Sequence, residues 1–180
     1  MAMAAAAQEN EMGKTFEYWD LYDRNVRKTG EVMLRGDAIP EGKYHLVCEI
    51  AVIDNMGRIL LTKRHPDKPY PLYWECSGGS VVAGETPIDG AVRELFEETG
   101  IKAEKEELTE LGIIYGNHAI YFNYLLRRDI ELSSIVLQSD ETVDAKLADK
   151  AEYERMVSEN MIVPLVVGRF AELGVDKLLK

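Results

Sequence analysis

The 180-residue chain is long enough for one domain with a real core and short for two. Hydrophobic content of 46% and charged content of 29% are ordinary for a globular protein, while a formal net charge of −11 argues against a non-specific nucleic-acid binder, which needs clustered Lys and Arg. Two cysteines, Cys48 and Cys76, are too few for a disulfide framework, and the longest apolar run, MIVPLVV, is too short to span a bilayer.

The opening MAMAAAAQENEMG lacks the charged start and long apolar stretch of a secretory signal, and its acids disfavour a transit peptide. Residues 1–13 therefore read as a disordered leader or a remnant of cloning, and a cytoplasmic protein is expected. FEYWDLYD and TGEVMLRG read as two short strands around the polar turn 24–28, an N-terminal hairpin extension over about residues 14–42. AIPEGK is a Pro/Gly loop. YHLVCEIAVI is apolar enough for a buried strand, and DNMG joins it to RILLTKR as a tight hairpin.

HPDKPYPLYWECSGG, with its three prolines and two glycines, reads as a loop that ends in a brief strand, SVVA. TPIDGAVRELFEETG has the signals of a helix: Thr86 as cap, Pro87 in the first turn and Gly100 at the exit. Strands are predicted near Glu110–Tyr115 and Ala119–Arg127, and a further one within Thr142–Leu147. KAEYERMVSEN and PLVVGRFAELG have helical period, the second beginning at Pro164. The expected architecture of residues 14–180 is a mixed sheet with helices packed on it, α+β or an α/β/α sandwich.

On the first helix Ile88, Val92, Leu95, Phe96 and Thr99 form one apolar stripe that should face the core. Glu94, Glu97 and Glu98 fall on the other side, where like charges at i, i+3 and i+4 cost roughly 0.2–0.5 kcal/mol per pair. A solvated outer face, softened by Arg93 pairing with Glu97, is one explanation. The other is that the cluster converges carboxylates on a hard cation, Mg2+ or Mn2+, whose shell is completed by waters and substrate phosphates. A glycine-containing loop introduces the helix and lets backbone groups approach a ligand closely.

Gly79, Glu85, Arg93, Glu94, Leu95, Glu97, Glu98, Gly100 and Ile101 fill every place of G-x5-E-x7-R-E-U-x-E-E-x-G-U, where U is aliphatic. Through this box the chain resembles the Nudix hydrolases. LLTKR before the loop and LYWECSGG leading into the box are also similar to the family's pattern. The resemblance implies the Nudix-type α/β/α sandwich around a mixed sheet and hydrolysis of a diphosphate linkage in a small molecule, usually a nucleoside diphosphate joined to another group. It implies Mg2+ (or Mn2+) held by Glu94, Glu97, Glu98 and the Gly79 carbonyl, with Arg93 and Glu85 orienting the ligand carboxylates. Glu97, Glu98 or an acid outside the box would activate water, and Glu141 in QSDETVDAKL resembles the downstream acid of several members; a solvated loop acid is its alternative.

Arg64 is the first candidate for a phosphate contact, with Lys63 and Lys68 behind it. Trp74, Tyr70 and Tyr73 could stack on a base or simply be core, and His45, His65 and His118 are assigned nothing. The N-terminal third also resembles the subgroup related to isopentenyl-diphosphate isomerase, whose catalytic Cys immediately precedes the box Gly. Gly78 stands there instead, Cys76 lies two residues earlier, and every box glutamate is kept, which favours a hydrolase over an isomerase or a non-catalytic binding module. A homodimer is compatible with all three.

Overall fold

The computed structural model describes residues 8–9 and 15–180, with side chains from Glu17 onward. The leader expected over residues 1–13 therefore lies outside the described residues, apart from the backbone of Gln8–Glu9 (β1), which pairs with Thr15–Phe16 (β2). Tyr18–Tyr22 (β3) and Lys28–Leu34 (β4) form the expected antiparallel hairpin. Its inner side is latched to the rest of the fold. Tyr22 and Tyr44 exchange backbone hydrogen bonds of 2.8 and 2.9 Å, and Trp19 stacks on His45 with ring centroids 4.0 Å apart.

The central sheet is built on His45–Ile53 (β5), the apolar run that reads as a buried strand. Ile59–Arg64 (β6) turns back from it, but the two pair only at Ile53 and Ile59 and then splay apart. Two short segments fill the opening: Trp74–Glu75 (β7) takes the edge of β6, and Ser77–Ser80 (β8) takes the edge of β5. The expected strand SVVA is thus shifted to begin at Ser77. Glycine explains the shift, because Gly78 and Gly79 lie against Glu49 and Cys48, and a Cβ on Gly78 would sit 2.3 Å from the Cys48 carbonyl oxygen. Only a chain without side chains can approach β5 so closely.

Pro87–Thr99 (α1) follows, capped by Thr86 with Pro87 in its first turn and ended by Gly100 in the left-handed conformation at φ 73°. Leu108–Tyr115 (β9) and Ala119–Arg127 (β10) form an antiparallel pair, and β10 runs parallel to β5, with Ala119 beside His45 and Tyr121 beside Val47. Thr142–Ala148 (β11) closes the sheet against β6, giving the order β11-β6-β5-β10-β9. Lys150–Ser158 (α2) and Pro164–Leu173 (α3) complete the fold.

The sheet is covered on both faces. Alternate residues of β5 point to opposite sides. Leu46, Cys48, Ile50 and Val52 pack with Ala91 and Leu95 of α1, whereas Ala51 and Ile53 pack with Tyr153 and Met156 of α2 and Val166 and Phe170 of α3. Leu95 is fully buried, and truncation to alanine would cost about 2–5 kcal/mol. The apolar stripe of α1 is rotated from the expected one. Leu95 and Thr99 are buried, but Phe96 is 46% exposed, while Ala91 and Glu98 are inside. The small residues Gly90 and Ala91 set the closest approach to the sheet and turn Glu98 inward: a Cβ on Gly90 would already lie 3.3 Å from Val81.

Candidate active site

At the splay between β5 and β6, α1 lays its glutamates against the glycine strand β8. A cleft of about 270 Å3 opens there, lined by Glu94, Glu97 and Glu98 on one side and by Arg35, Arg64, Lys68 and Glu141 among the rest. Gly79 is the contact point, since a Cβ at this position would lie 2.4 Å from the Glu94 carboxyl carbon. The Gly79 carbonyl accepts from the Cys48 thiol at 3.4 Å, and the Gly78 N–H donates to Glu98 Oε2 at 3.2 Å.

Arg93 organises the carboxylates. Its guanidinium donates to both oxygens of Glu85 (2.8 and 3.0 Å), to Glu94 Oε1 (2.8 Å), to Glu97 Oε2 (3.0 Å) and to the Ser80 carbonyl (3.0 Å). The i, i+4 pairing with Glu97 is therefore one part of a larger network. Glu98 is left outside it. It is 4% exposed, and burial, followed by the neighbouring Glu75 and Glu94 carboxylates, pushes its pKa up to about 8. Burial also raises Glu94 against the opposing pull of Arg93.

Among the described residues no hydrogen bond reaches Glu94 Oε2, Glu97 Oε1 or Glu98 Oε1. Each clustered glutamate thus keeps one oxygen open, and buried Glu98 pairs with no basic side chain among the described residues. The donor set is all oxygen, as hard divalent cations require, although no three acids among the described residues are already drawn into a cage. A cation that takes few protein ligands and completes its shell with water and phosphate fits such a site.

The opposite wall is basic. Arg64 donates to both oxygens of Glu75 at 2.6 Å and to the Pro69 carbonyl at 2.6 Å, which hold it at the cleft. Lys68 forms an ion pair with Glu141 across the mouth, and burial lowers the Lys68 pKa. Lys63 is not brought into the cleft. It follows the strand alternation to the other side of β6, where its ammonium lies 5.6 Å from the Trp74 ring centre. Arg35, just beyond β4, enters the cleft from the N-terminal hairpin, paired with Glu17 at 2.6 Å. Neither Arg35 nor Glu75 is conspicuous in the sequence. The hydrophobic pattern of the hairpin does point to docking, but not to what the docked end carries.

The NUDIX domain family model matches residues 43–163, more than half of the chain and all of the carboxylate cluster. This chain belongs to the Nudix family. A Nudix hydrolase of Listeria monocytogenes is 32% identical over 150 residues, which cover 82% of this chain and 89% of the relative. The fold is shared with a protein of Deinococcus radiodurans (TM-score 0.67, 18% identity, 82% of this chain and 92% of that one). It is also shared with a bifunctional NMN adenylyltransferase/ADP-ribose pyrophosphatase of Francisella tularensis, complexed with AMP and a manganese ion (TM-score 0.57, 21% identity, 72% and 41%). The protein is a Nudix hydrolase.

The thiols of this Nudix hydrolase lie off the cleft. Cys76 is 4% exposed within the core beneath α2 and α3, and burial raises its pKa well above the usual thiol value. Cys48 is fully buried on the α1 side, and burial pushes it up to about 12. Trp74 is core, while Tyr73 accepts a hydrogen bond from Asn160 at 3.1 Å and Tyr70 is 42% exposed. Among the described residues, no helix is long and apolar enough to cross a membrane.

Proposed function

We propose that this Nudix hydrolase cleaves the diphosphate linkage of a nucleoside diphosphate derivative with Mg2+ or Mn2+, and that residues 14–180 act as one domain whose hairpin extension lends Arg35 to the cleft. The observation that carries the reading is a buried carboxylate, Glu98, that pairs with no basic side chain among the described residues and faces a wall of Arg35, Arg64 and Lys68. One side suits a divalent ion and the other suits phosphate oxygens. The Francisella tularensis protein, similar in fold, is an ADP-ribose pyrophosphatase seen with AMP and manganese, which accords with this substrate class.

Glu94, Glu97, Glu98 and the Gly79 carbonyl would hold the cation, which when bound supplies neutralisation of the diphosphate oxygens and a more acidic water. The Gly79 carbonyl has a second lone pair beside the one that accepts from the Cys48 thiol. Arg93, fixed by Glu85, holds Glu94 and Glu97 in orientation. Arg35, Arg64 and Lys68 bind and orient the diphosphate. In the reaction the water oxygen bonds to phosphorus as the bridging P–O bond breaks, and the water proton passes to a carboxylate. Glu98, Glu97 and Glu141 are the acceptors at the cleft. The leaving phosphate departs as the anion.

A panel of ADP-ribose, other nucleoside diphosphate derivatives and isopentenyl diphosphate, assayed with Mg2+ for phosphate products and for double-bond migration, tests the reading. Cleavage of a nucleoside diphosphate derivative that disappears in excess EDTA and returns with Mg2+ is expected. Undiminished turnover after verified metal removal would overturn it.

A further inference from the structure

The helical layer on the other face of the sheet holds a hollow of its own, about 290 Å3, between α2 and α3. It shares no lining residue with the charged cleft. Helical spacing builds its walls. Lys150, Tyr153, Glu154 and Val157 fall at i, i+3, i+4 and i+7 on α2, while Val167 and Ala171 lie one turn apart on α3. Gly174, left-handed at φ 71°, ends α3 and turns the chain into the short 3-10 segment Val175–Leu178, which adds Asp176 to the lining. That segment is held on both sides. Val175 is fully buried, and Lys180 donates its N–H to the Gly57 carbonyl at 3.1 Å and accepts from the Lys150 N–H at 3.0 Å.

We propose that this hollow is a binding site for a small free amine, with a primary ammonium set against Asp176 and a compact apolar body between Tyr153, Val157, Val167 and Ala171. Such a site is independent of the linkage that the carboxylate cleft cleaves.

Three observations point to that class of ligand. Asp176 Oδ1 is shielded from solvent and has no hydrogen-bond partner among the described residues, which costs free energy until a donor arrives. Tyr153 lines the same hollow. Burial, then the neighbouring Cys76 and Asp176, raise its pKa, so the phenol is neutral and offers an acceptor to a second ammonium hydrogen.

The third observation is the balance of charge. The lining carries one cation, Lys150, and two anions, Glu154 and Asp176, a local sum of −1 that a monocation complements and an anion does not. Two carboxylates with no phosphate nearby supply too few oxygens for a hard divalent ion. The valines and the alanine between them suit a hydrocarbon body, and ligand pockets combine such walls with a few placed polar groups.

Amide-resolved NMR titration of the full chain at neutral pH and fixed ionic strength, with n-butylamine as the probe, tests the site. n-Butanol removes the charge, butyrate reverses it, and ammonium chloride removes the apolar body. n-Butylamine should give saturable shifts around Tyr153, Ala171 and Asp176 and bind about tenfold or more tightly than any of the three, the scale of one charge-assisted hydrogen bond. Asp176→Asn nearly keeps the shape and removes the charge, so it should abolish the preference with the fold intact by thermal melt. Ala171→Leu fills the hollow from an exposed helical position at nearly equal helix propensity, so it should lose butylamine and keep its melt. Glu98→Gln, across the sheet, should leave the titration unchanged. No saturable binding, equal affinity for n-butanol, or a preference that survives either Asp176→Asn or Ala171→Leu overturns the site. Binding lost with Glu98→Gln also overturns it, because the amine then sits on the carboxylates of the charged cleft. Nα-acetyl-lysine methylamide, the same ammonium on a peptide-linked stem, should bind more weakly than n-butylamine. Tighter binding would make the hollow a receptor for a protein's lysine and overturn the assignment to a free amine.

Discussion

Helices α1 and α2 both carry glutamates interleaved with an arginine, and they use them differently. On α2, Arg155 donates to Glu152 at 2.9 and 3.0 Å and to Glu159 at 2.5 Å, while Lys146 reaches Glu152 at 2.9 Å. Glu152, Arg155 and Glu159 pair with one another at the surface, and hydrogen bonds from Arg155 and Lys146 bring the Glu152 pKa down to about 2. On α1, Arg93 pairs with Glu85, Glu94 and Glu97 but not with Glu98. Glu98, one residue further, is buried next to Glu75 and Glu94 and rises to about 8. A cluster of acids is thus not informative by its composition. What separates a binding site from a solvated face is whether burial leaves a carboxylate that pairs with no basic side chain among the described residues.

The largest expected difference is in turnover. Glu98→Gln nearly keeps the shape of the side chain and removes its charge, so kcat on the cleaved diphosphate should fall by about 10^2- to 10^4-fold. Glu152→Gln should leave kcat within about twofold, since it touches nothing in the cleft. Equal losses from both would erase the distinction between the helices.

Stability against pH should show opposite slopes in metal-free protein. Glu98 has a folded pKa of about 8, above its ordinary 4.5, so its contribution is full below pH 4.5 and is lost as pH rises through 8. Glu152 has a folded pKa of about 2, so its contribution is present above pH 4.5 and is lost as pH falls toward 2. Denaturation with EDTA present, parent against Glu98→Gln, should therefore show the variant gaining on the parent between pH 5 and 8, by roughly 1–3 kcal/mol at the upper end. A variant less stable than the parent at pH 8 would make Glu98 a structural residue. Mg2+ should raise the melting temperature of the parent but not of Glu98→Gln.

The smallest effect is expected at Cys76. Serine there exchanges a buried thiol for a hydroxyl without a partner, costing about 1–3 kcal/mol of stability. Diphosphate cleavage should stay within about threefold of the parent at a temperature where both are folded. Double-bond migration in isopentenyl diphosphate that vanishes with Cys76→Ser would instead place this thiol in an isomerase.

Local chemistry made the core of the site legible before any coordinates. Thr86, Pro87 and Gly100 bound α1, and the spacing of Glu94, Glu97 and Glu98 follows from the helical repeat. The rest depends on encounters between distant segments. Arg35 joins the cleft because a hairpin docks, Glu75 holds Arg64 there because a two-residue strand pairs with β6, and no periodicity announces either. Phe96 has the period of a core residue, but the close approach allowed by Gly90 and Ala91 turns the helix past it. Lys63 and Arg64 are neighbours in sequence, and strand alternation sends them to opposite sides. The hollow between α2 and α3 comes from three segments, none unusual alone.

The parallel pairing of β5 with β10 also sets the order in which this molecule can assemble. Ala119 rests beside His45, and everything between them, including β6, the glycine strand, α1 and β9, lies on the loop which that pairing closes. Closing so long a loop costs chain entropy before any sheet contact offsets it, and topologies of this kind fold slowly. The local pieces, α1 with its cap and the β9–β10 hairpin, can form first and lower that barrier. The space between β10 and α3, lined by Tyr121 and Gly168, comes last, because its walls meet only when β10 docks: that cavity is a late product of folding.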